Sequence, residues 1–296
     1  MTWNLEPHLT TVDQNLPIGI FDSGVGGLTV YRALHERLPH EHFVYLGDTA
    51  RVPYGTKSLA TVERYAIENS RFLADHGVKM LVVACNTASA LALPAIRNAV
   101  HVPVVGVIEP GARAAVSLAK GRPIAVIATE ATVQSEAYKH AIREIDPIAV
   151  EVIERACPLF VSLVEEGWAN SEVALSIAQH YLGDLGNAQI GALVLGCTHY
   201  PILRDVISSV IGETVPLVDS GEATAVTVET ILESRGLARR LHEDFARTRH
   251  LCDDLDHFYV TDAAQRFAKV AERFLGTAPA VLEAVEVWGH DELRTY

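Results

Sequence analysis

The apolar residues of this chain fall into two patterns. Short unbroken runs rich in Val, Ile and Leu are typical of strands buried on both faces of a parallel sheet, and stretches with an apolar residue every three or four positions are typical of helices. The runs predict strands at residues 17–21, 43–46, 80–84, 102–108, 123–128, 148–153, 192–196 and 258–261, and one beginning near residue 215. The periodic stretches predict intervening helices, most clearly at about residues 58–76, 171–185, 201–211 and 264–275. This alternation predicts an α/β fold with parallel sheets.

Two of the predicted strands end in a cysteine that polar residues follow. LVVACNTAS places Cys85 after one strand, and ALVLGCTHYP places Cys197 after another, 112 positions later. Ligands of open α/β sheets bind at the carboxyl ends of the strands. The recurrence therefore predicts two similar halves that face each other, each contributing one thiol to a site.

These two cysteines differ from the other two in the chain. A free cysteine is usually an inert core residue, and we expect this of Cys157 and Cys252. Cys85 and Cys197 instead stand at strand-to-helix junctions, where site residues cluster. A helix amino end or a neighbouring histidine makes a thiolate accessible near neutral pH, and His199 lies two positions after Cys197.

Composition and charge narrow the classes of function. Apolar residues make up 49% of the 296-residue chain and charged residues 21%, which is typical of a globular protein. The formal net charge of −13 disfavours nucleic acid and anionic membranes as partners. The first residues lack the basic start and apolar core of a signal peptide, and no apolar run reaches the length of a membrane span. We therefore expect a cytoplasmic protein whose four cysteines are free thiols.

Several cofactor and metal sites are disfavoured by the motifs. The glycine-rich DSGVGG fits neither a P-loop nor GxGxxG, so it predicts a tight turn whose amides can at most hold a small anion. Cys197 and His199 are too close together for a usual structural zinc pair, and we expect no metal. Pyridoxal phosphate needs a Schiff-base lysine, and the chain has only five lysines. Among the acids at strand ends, Asp22, Asp48 and Glu165, helix capping and turn formation compete with catalysis.

Seven motifs together resemble the glutamate racemases, a family of cofactor-independent amino-acid racemases. They occur in the family's order between residues 20 and 262, and they are IFDSGVGGLTV, YLGDTARVPYG, VVACNTASA, CPLFVSLVEEG, LVLGCTHYP, LVDSG and FYVTD. The resemblance implies two pseudo-symmetric α/β domains, each with a mostly parallel sheet flanked by helices and with the active site between them. The first domain would comprise residues 1–109 and 220–296, because the C-terminal segment returns to it, and the second would comprise residues 110–219.

The resemblance also implies the activity. The enzyme would interconvert L- and D-glutamate without a cofactor and supply D-glutamate for peptidoglycan synthesis, and hence for cell wall biogenesis and cell shape. Its partner would be the small-molecule substrate, and a homodimer is left open. The chemistry agrees with the residues, because a racemase removes the Cα proton from one face and returns a proton to the other, which two opposed thiols can do as base and acid.

Residue roles follow from the same resemblance. Cys85 would act on D-glutamate with the help of Asp22. Cys197 would act on L-glutamate with the help of Glu165 and His199. Residues that match substrate-binding positions of the family are Asp22, Ser23, Tyr54, Gly55, Asn86, Thr87, Thr129, Thr132, Thr198 and His199.

The departures from the family pattern lie outside this set. The leader before Pro17 is long, Ser162 stands where the family commonly has proline, and residues 238–257 show no assignable pattern. Three other functions stay open at this point: an aspartate or hydantoin racemase, a non-catalytic binding protein for small anions, and a thiol hydrolase using Cys197 and His199. The hydrolase leaves Cys85 unexplained.

Overall fold

The structure is a computed structural model that describes residues 13–147, 151–240 and 249–288. Within these ranges the chain forms strands and helices in alternation. The strands are β1 Ile18–Asp22, β2 Phe43–Gly47, β3 Met80–Val83, β4 Val104–Gly106, β5 Ile124–Ala128, β6 Val152–Ala156, β7 Ala192–Gly196, β8 Leu217–Asp219, β9 His257–Val260 and β10 Leu282–Ala284.

The helices follow the strands along the chain. They are α1 Leu28–Arg37, α2 Leu59–Asp75, α3 Asn86–Ala99, α4 Ile108–Ala119, α5 Glu130–Gln134, α6 Ala137–Ile145, α7 Leu159–Glu165, α8 Glu172–Leu182, α9 Arg204–Ile211, α10 Ser220–Ser234 and α11 Ala264–Leu275. Short 3₁₀ turns occupy Thr49–Arg51, Tyr54–Thr56, Leu185–Asn187 and Tyr200–Leu203. No described helix is long and apolar enough to cross a membrane.

The strands form two sheets. One has six strands in the order β10-β9-β2-β1-β3-β4, and the other has four in the order β6-β5-β7-β8. All neighbouring strands within each sheet run parallel. The predicted α/β class with two parallel sheets is confirmed.

Alternation along the strands explains how the sheets are buried. Ile20 and Val82 of the six-stranded sheet and Ile127 and Leu195 of the four-stranded sheet belong to one apolar core that contains residues from both sheets. The alternate residues of the same strands, such as Phe21, belong to two separate clusters, one for each sheet. Because every strand residue of β1, β3, β5 and β7 is buried, the unbroken apolar runs in the sequence are accounted for.

The C-terminal part of the chain contributes to the six-stranded sheet. Strand β9 pairs with β2 and carries β10 on its other side. Helix α10 packs on α1, and α11 also contacts α1. Strands β9 and β10 thereby extend the six-stranded sheet beyond β2, and the division of the chain into two domains stays a prediction.

The strands differ from the prediction at three places. The strand predicted at residues 102–108 spans only Val104–Gly106, because helix α4 already begins at Ile108. The strand predicted at residues 148–153 is β6, at Val152–Ala156, and residues 148–150 lie outside the described residues. The predicted strand begins and ends a few residues before the observed one because the charged residues Glu154 and Arg155 interrupt the apolar run. Such charged residues are tolerated here because β6 is an edge strand. Strand β10 was not predicted, because its three residues, Leu282–Ala284, give no alternation to detect. The leader up to residue 12 and residues 241–248 also lie outside the description.

Candidate active site

A cavity of about 170 Å³ lies between the carboxyl ends of the strands of the two sheets. Its walls combine the loops after β1, β2 and β3 with those after β5, β6 and β7. The lining residues are Ser23, Gly24, Val52, Pro53, Tyr54, Gly55, Thr56, Cys85, Asn86, Thr87, Thr129, Glu130, Pro158, Val161, Ser162, Glu165, Cys197, Thr198 and His199.

Cys85 forms one wall, at the junction of β3 and α3. It is the N-cap residue of α3, where its sulfur accepts a hydrogen bond from the Ala88 amide at 3.5 Å. The thiol donates to Ser23 Oγ at 3.6 Å. Burial, reinforced by the charge of Asp22, raises the pKa of the Cys85 thiol to about 12. Cys85 is therefore protonated at neutral pH and suited to give a proton.

Cys197 forms another wall, directly after β7 in the four-stranded sheet. Its sulfur lies 3.7 Å from His199 Nδ1, and His199 Nε2 lies 3.0 Å from Glu165 Oε1. Burial acts to lower the pKa of His199, but hydrogen bonds with Cys197 and Glu165 outweigh it and raise that pKa to about 10. The hydrogen bond with His199 in turn lowers the pKa of Glu165. The ring is therefore an imidazolium at neutral pH, and it lies where it can compensate negative charge that develops at the neighbouring sulfur.

Asp22 does not line the cavity. It is fully buried at the end of β1, where Oδ2 accepts from the Gly24 amide at 2.9 Å and Oδ1 accepts from Thr198 Oγ1 at 3.5 Å. Burial raises the pKa of Asp22, although the positive charge of His199 opposes the rise. The negative charge of Asp22 acts on Cys85 and contributes to the raised pKa of that thiol.

Three predicted threonines form one hydroxyl cluster across the boundary between the sheets. Thr87 Oγ1 lies 3.0 Å from Thr129 Oγ1 and 3.3 Å from Thr132 Oγ1. Thr129 and Thr132 are 3.0 Å apart, and Thr132 is fully buried behind the cavity. Thr87 and Thr129 thus line the cavity, whereas Thr132 contacts both hydroxyls from behind it.

The loop carrying Tyr54 and Gly55 is held from behind by Asp48. This carboxylate accepts hydrogen bonds from the Tyr54 hydroxyl and from Arg51 Nε, the latter at 2.8 Å to Oδ2, and Thr261 Oγ1 donates to it at 3.0 Å. Asp48 precedes a 3₁₀ turn without capping it, so the capping explanation for this residue is wrong. Its place is a buried network that shapes the cavity wall.

The glycine-rich loop after β1 serves close packing. Neither Gly26 nor Gly27 has a positive φ, so the tight-turn explanation does not account for them. A Cβ on Gly26 would lie 2.2 Å from Thr198 Oγ1 and 2.5 Å from the His199 ring. Thr29 Oγ1 in the following helix donates to the Thr198 carbonyl at 2.8 Å. Gly26 therefore allows the β1 loop to reach the Cys197 loop.

Most of the predicted site residues therefore surround one cavity, and Asp22 and Thr132 lie behind its wall. The described residues contain no group of three or more His, Cys, Asp or Glu that could hold a metal ion. Eight lining residues were not among those predicted, although all of them follow predicted strands and six lie within the quoted motifs. They are Gly24, Val52, Pro53, Thr56, Glu130, Pro158, Val161 and Ser162.

The two thiols are arranged for proton transfer to and from a ligand in the cavity. One thiol belongs to each sheet, and both line the same small space. A carboxylate stands behind Cys85, and an imidazolium stands beside Cys197. A ligand held between them can lose a proton to one sulfur and gain a proton from the other.

Comparison with known proteins gives one consistent result. The family model for Asp/Glu/hydantoin racemases matches residues 18–228. The glutamate racemase of Geobacter metallireducens is 52% identical over 259 residues, which cover 88% of this chain and 92% of that protein.

Solved structures agree over almost the whole chain. The glutamate racemase of Francisella tularensis in complex with D-glutamate matches with a TM-score of 0.82 and 38% identity, covering 93% of this chain and 98% of that one. The Escherichia coli glutamate racemase, in complex with L-glutamate and the activator UDP-MurNAc-ala, matches with a TM-score of 0.73 and 28% identity, covering 93% and 100%.

Proposed function

This chain belongs to the Asp/Glu/hydantoin racemase family and is an amino-acid racemase, and we propose that it interconverts L- and D-glutamate without a cofactor. The observation that carries the proposal is the pair of thiols, Cys85 and Cys197, on opposite sheets around one cavity. Glutamate is favoured as substrate because the named relatives are glutamate racemases and because two of the similar structures hold glutamate.

The proposed reaction uses each thiol on one face of the substrate. The Cα hydrogen of L-glutamate is a very weak acid, and the Cys197 thiolate takes it as the C–H bond breaks. His199 stays protonated and compensates the charge on sulfur before the transfer. The Cys85 thiol then gives its proton to the opposite face of the carbanion, which forms the new C–H bond of D-glutamate. Cys197 is then the protonated thiol and Cys85 the thiolate, which is the starting state for the reverse direction.

Polar groups around the cavity are proposed to hold the substrate. Ser23, Tyr54, Gly55, Asn86, Thr87, Thr129, Thr198 and His199 line it; they offer hydroxyl, amide and ring donors for two carboxylates, and hydroxyl oxygens that can accept from an amino group. Asp22 is proposed to govern the protonation of Cys85, since its charge raises the pKa of that thiol. Thr132 is proposed to act through the other threonines.

The wider role follows from the product. We propose that the D-glutamate supplies peptidoglycan synthesis in the cytoplasm, and a homodimer remains a prediction. Membership of a racemase family removes the non-catalytic binding protein and the thiol hydrolase that the sequence left open.

The proposal is tested by comparing substrates. Purified protein is incubated separately with L-glutamate, L-aspartate and a chiral 5-substituted hydantoin, and loss of optical activity is followed by circular dichroism. We expect racemisation of glutamate with a kcat/KM at least about tenfold above that for aspartate, because a missing methylene shifts the reacting carbon or the distal carboxylate. Faster racemisation of aspartate or of the hydantoin would show that this compound, and not glutamate, is the preferred substrate.

A further inference from the structure

The carboxamide of Asn86 is only half satisfied by the protein. Asn86 begins α3, lines the cavity and is 3% exposed. Its Oδ1 accepts a hydrogen bond from the Tyr138 hydroxyl at 2.6 Å. Its Nδ2 is buried and has no hydrogen-bond partner. A buried N–H group without an acceptor is unfavourable, so this nitrogen is available for an acceptor inside the cavity.

The position of Tyr138 is fixed by packing against glycines. Tyr138 lies on α6, beside the four-stranded sheet, and is fully buried. A Cβ on Gly196 would lie 3.1 Å from Tyr138 Cε2, and a Cβ on Gly111 would lie 3.3 Å from Cε1. The ring therefore occupies a slot that these two glycines leave free. Its hydroxyl reaches from the second half of the molecule to a site residue of the first half.

The direction of the hydrogen bond follows from the chemistry of the acceptor. The Oδ1 atom of a carboxamide carries no proton, so the Tyr138 hydroxyl donates in this bond. Burial raises the pKa of Tyr138, so the hydroxyl keeps the proton that the bond requires.

We propose that Tyr138 is a positioning residue that holds the Asn86 carboxamide with both N–H bonds directed into the cavity, where they bind a carboxylate of the substrate. The inference rests on the proposed function. In the opposite orientation of the amide, Oδ1 would face the cavity and repel a carboxylate. Tyr138 thereby couples the second half of the molecule to substrate binding without touching the substrate.

The first test removes only the hydroxyl, in Tyr138→Phe. We expect the KM for glutamate to rise about fivefold to tenfold, as for a lost hydrogen bond, with kcat changed less than about twofold. The matched control is Tyr31→Phe, which removes a fully buried hydroxyl that is bonded to Asp256 and does not line the cavity. Its KM should stay at the wild-type value even though its melting temperature falls. A Tyr138→Phe enzyme with a wild-type KM overturns the inference.

A double-mutant cycle separates positioning from a general structural effect. Asn86→Ala should raise the KM about 10- to 100-fold, because a hydrogen bond to a charged group is lost. If Tyr138 acts through Asn86, the double variant with Tyr138→Phe and Asn86→Ala has the same KM as the Asn86→Ala single variant. Multiplication of the two single effects would mean that Tyr138 acts by another route and would overturn the inference.

The isosteric variant Asn86→Asp covers the case in which Tyr138→Phe does not fold. Tyr138 still donates to one oxygen of the introduced carboxylate, and the second oxygen then faces the cavity in place of the donor. We expect the dissociation constant of D-glutamate, measured by NMR titration, to rise at least about tenfold. Unchanged affinity would contradict the assigned orientation. If the wild type racemises another amino acid, the same variants assayed with that substrate keep the inference separate from the choice of glutamate.

Discussion

At the scale of single residues, the two thiols are chemically unequal. Cys85 is next to the buried carboxylate of Asp22, which reinforces the rise of its pKa to about 12. Cys197 is next to His199, whose pKa is raised to about 10. In the free enzyme we therefore expect Cys85 to be the proton donor and His199 to compensate negative charge that develops at Cys197. This is the arrangement that the reaction of L-glutamate requires. The reverse direction requires the proton to move from Cys85.

Removal of either thiol should abolish racemisation in both directions. Cys85→Ala and Cys197→Ala are each expected to lower kcat by at least about 10³-fold, in the range for loss of a general acid or base. Cys157→Ala is the control, since Cys157 is also a fully buried free thiol but does not line the cavity. Progress curves followed by circular dichroism measure the rates. A cysteine variant with wild-type rates would remove that thiol from the mechanism.

The pH profile should carry the signature of His199. The pKa of His199 is raised to about 10, so its positive charge is present at neutral pH and is lost as the pH rises through about 10. Together with the requirement for one ionised and one protonated thiol, this predicts a bell-shaped profile. In His199→Gln we expect kcat/KM for L-glutamate to fall about 10²-fold and the alkaline limb of His199 to disappear.

The ratio of the two profiles isolates this limb, because the amino group of the substrate titrates identically with both proteins. His140→Gln, at a ring that is 66% exposed, is the control and should keep the wild-type profile. A wild-type to His199→Gln ratio that stays constant between pH 8 and about 11 would contradict the assignment.

At the scale of elements, the site depends on loops that approach closely at the strand ends. The unbroken apolar runs predicted β1, β3, β5 and β7, and therefore which residues meet at the carboxyl edge. The reason for Gly26 was not predictable, because its neighbours, Thr198 and His199, are distant in sequence. The network around Asp48 was only partly accessible from the sequence, because Arg51 and Tyr54 are close to it in sequence but Thr261 is 213 positions away.

A methyl group at Gly26 should disturb both the fold and the site. Gly26→Ala would place a Cβ 2.2 Å from Thr198 Oγ1, so the Cys197 loop must move. We expect the free energy of unfolding to fall by about 1–3 kcal/mol, as for overpacking, and kcat/KM to fall at least about tenfold. Gly186→Ala is the control, because its nearest atom outside the local backbone, the Val210 carbonyl oxygen, would lie 3.5 Å away. Equal stability and activity of the two variants would show that close approach is not the role of Gly26.

At the scale of the whole molecule, segments distant in sequence are joined by buried polar contacts. Lys79, just before β3, is fully buried; its Nζ donates to the Gln14 carbonyl at 2.7 Å and the Leu237 carbonyl at 2.8 Å, and lies 2.5 Å from Glu41 Oε2. The segment after α10 is thereby fixed to the six-stranded sheet. Arg273 of α11 donates to the Glu165 carbonyl at 2.9 Å and so connects the C-terminal part of the chain to the site.

Breaking the buried ion pair should destabilise the fold and spare the chemistry. Lys79→Met leaves Glu41 without its partner, and we expect a loss of about 3–5 kcal/mol in the free energy of unfolding, measured by urea denaturation. The double variant Lys79→Met with Glu41→Gln removes the unpaired charge and should recover part of this loss. Arg113→Ala, at an exposed pair with Glu109, should stay within about 0.5 kcal/mol of the wild type. A Lys79→Met protein as stable as the Arg113→Ala protein would contradict the anchoring role.

The central claim, proton transfer by two thiols on opposite faces of the substrate, is tested most directly by racemisation of L-glutamate in heavy water. Thiol protons exchange with solvent, so Cys85 carries deuterium before it reacts. During the first few per cent of conversion we expect the D-glutamate formed to be fully deuterated at Cα while the remaining L-glutamate keeps its proton, as measured by chiral separation and mass spectrometry. D-glutamate that retains the original Cα proton would show that a single base serves both faces and would contradict the account.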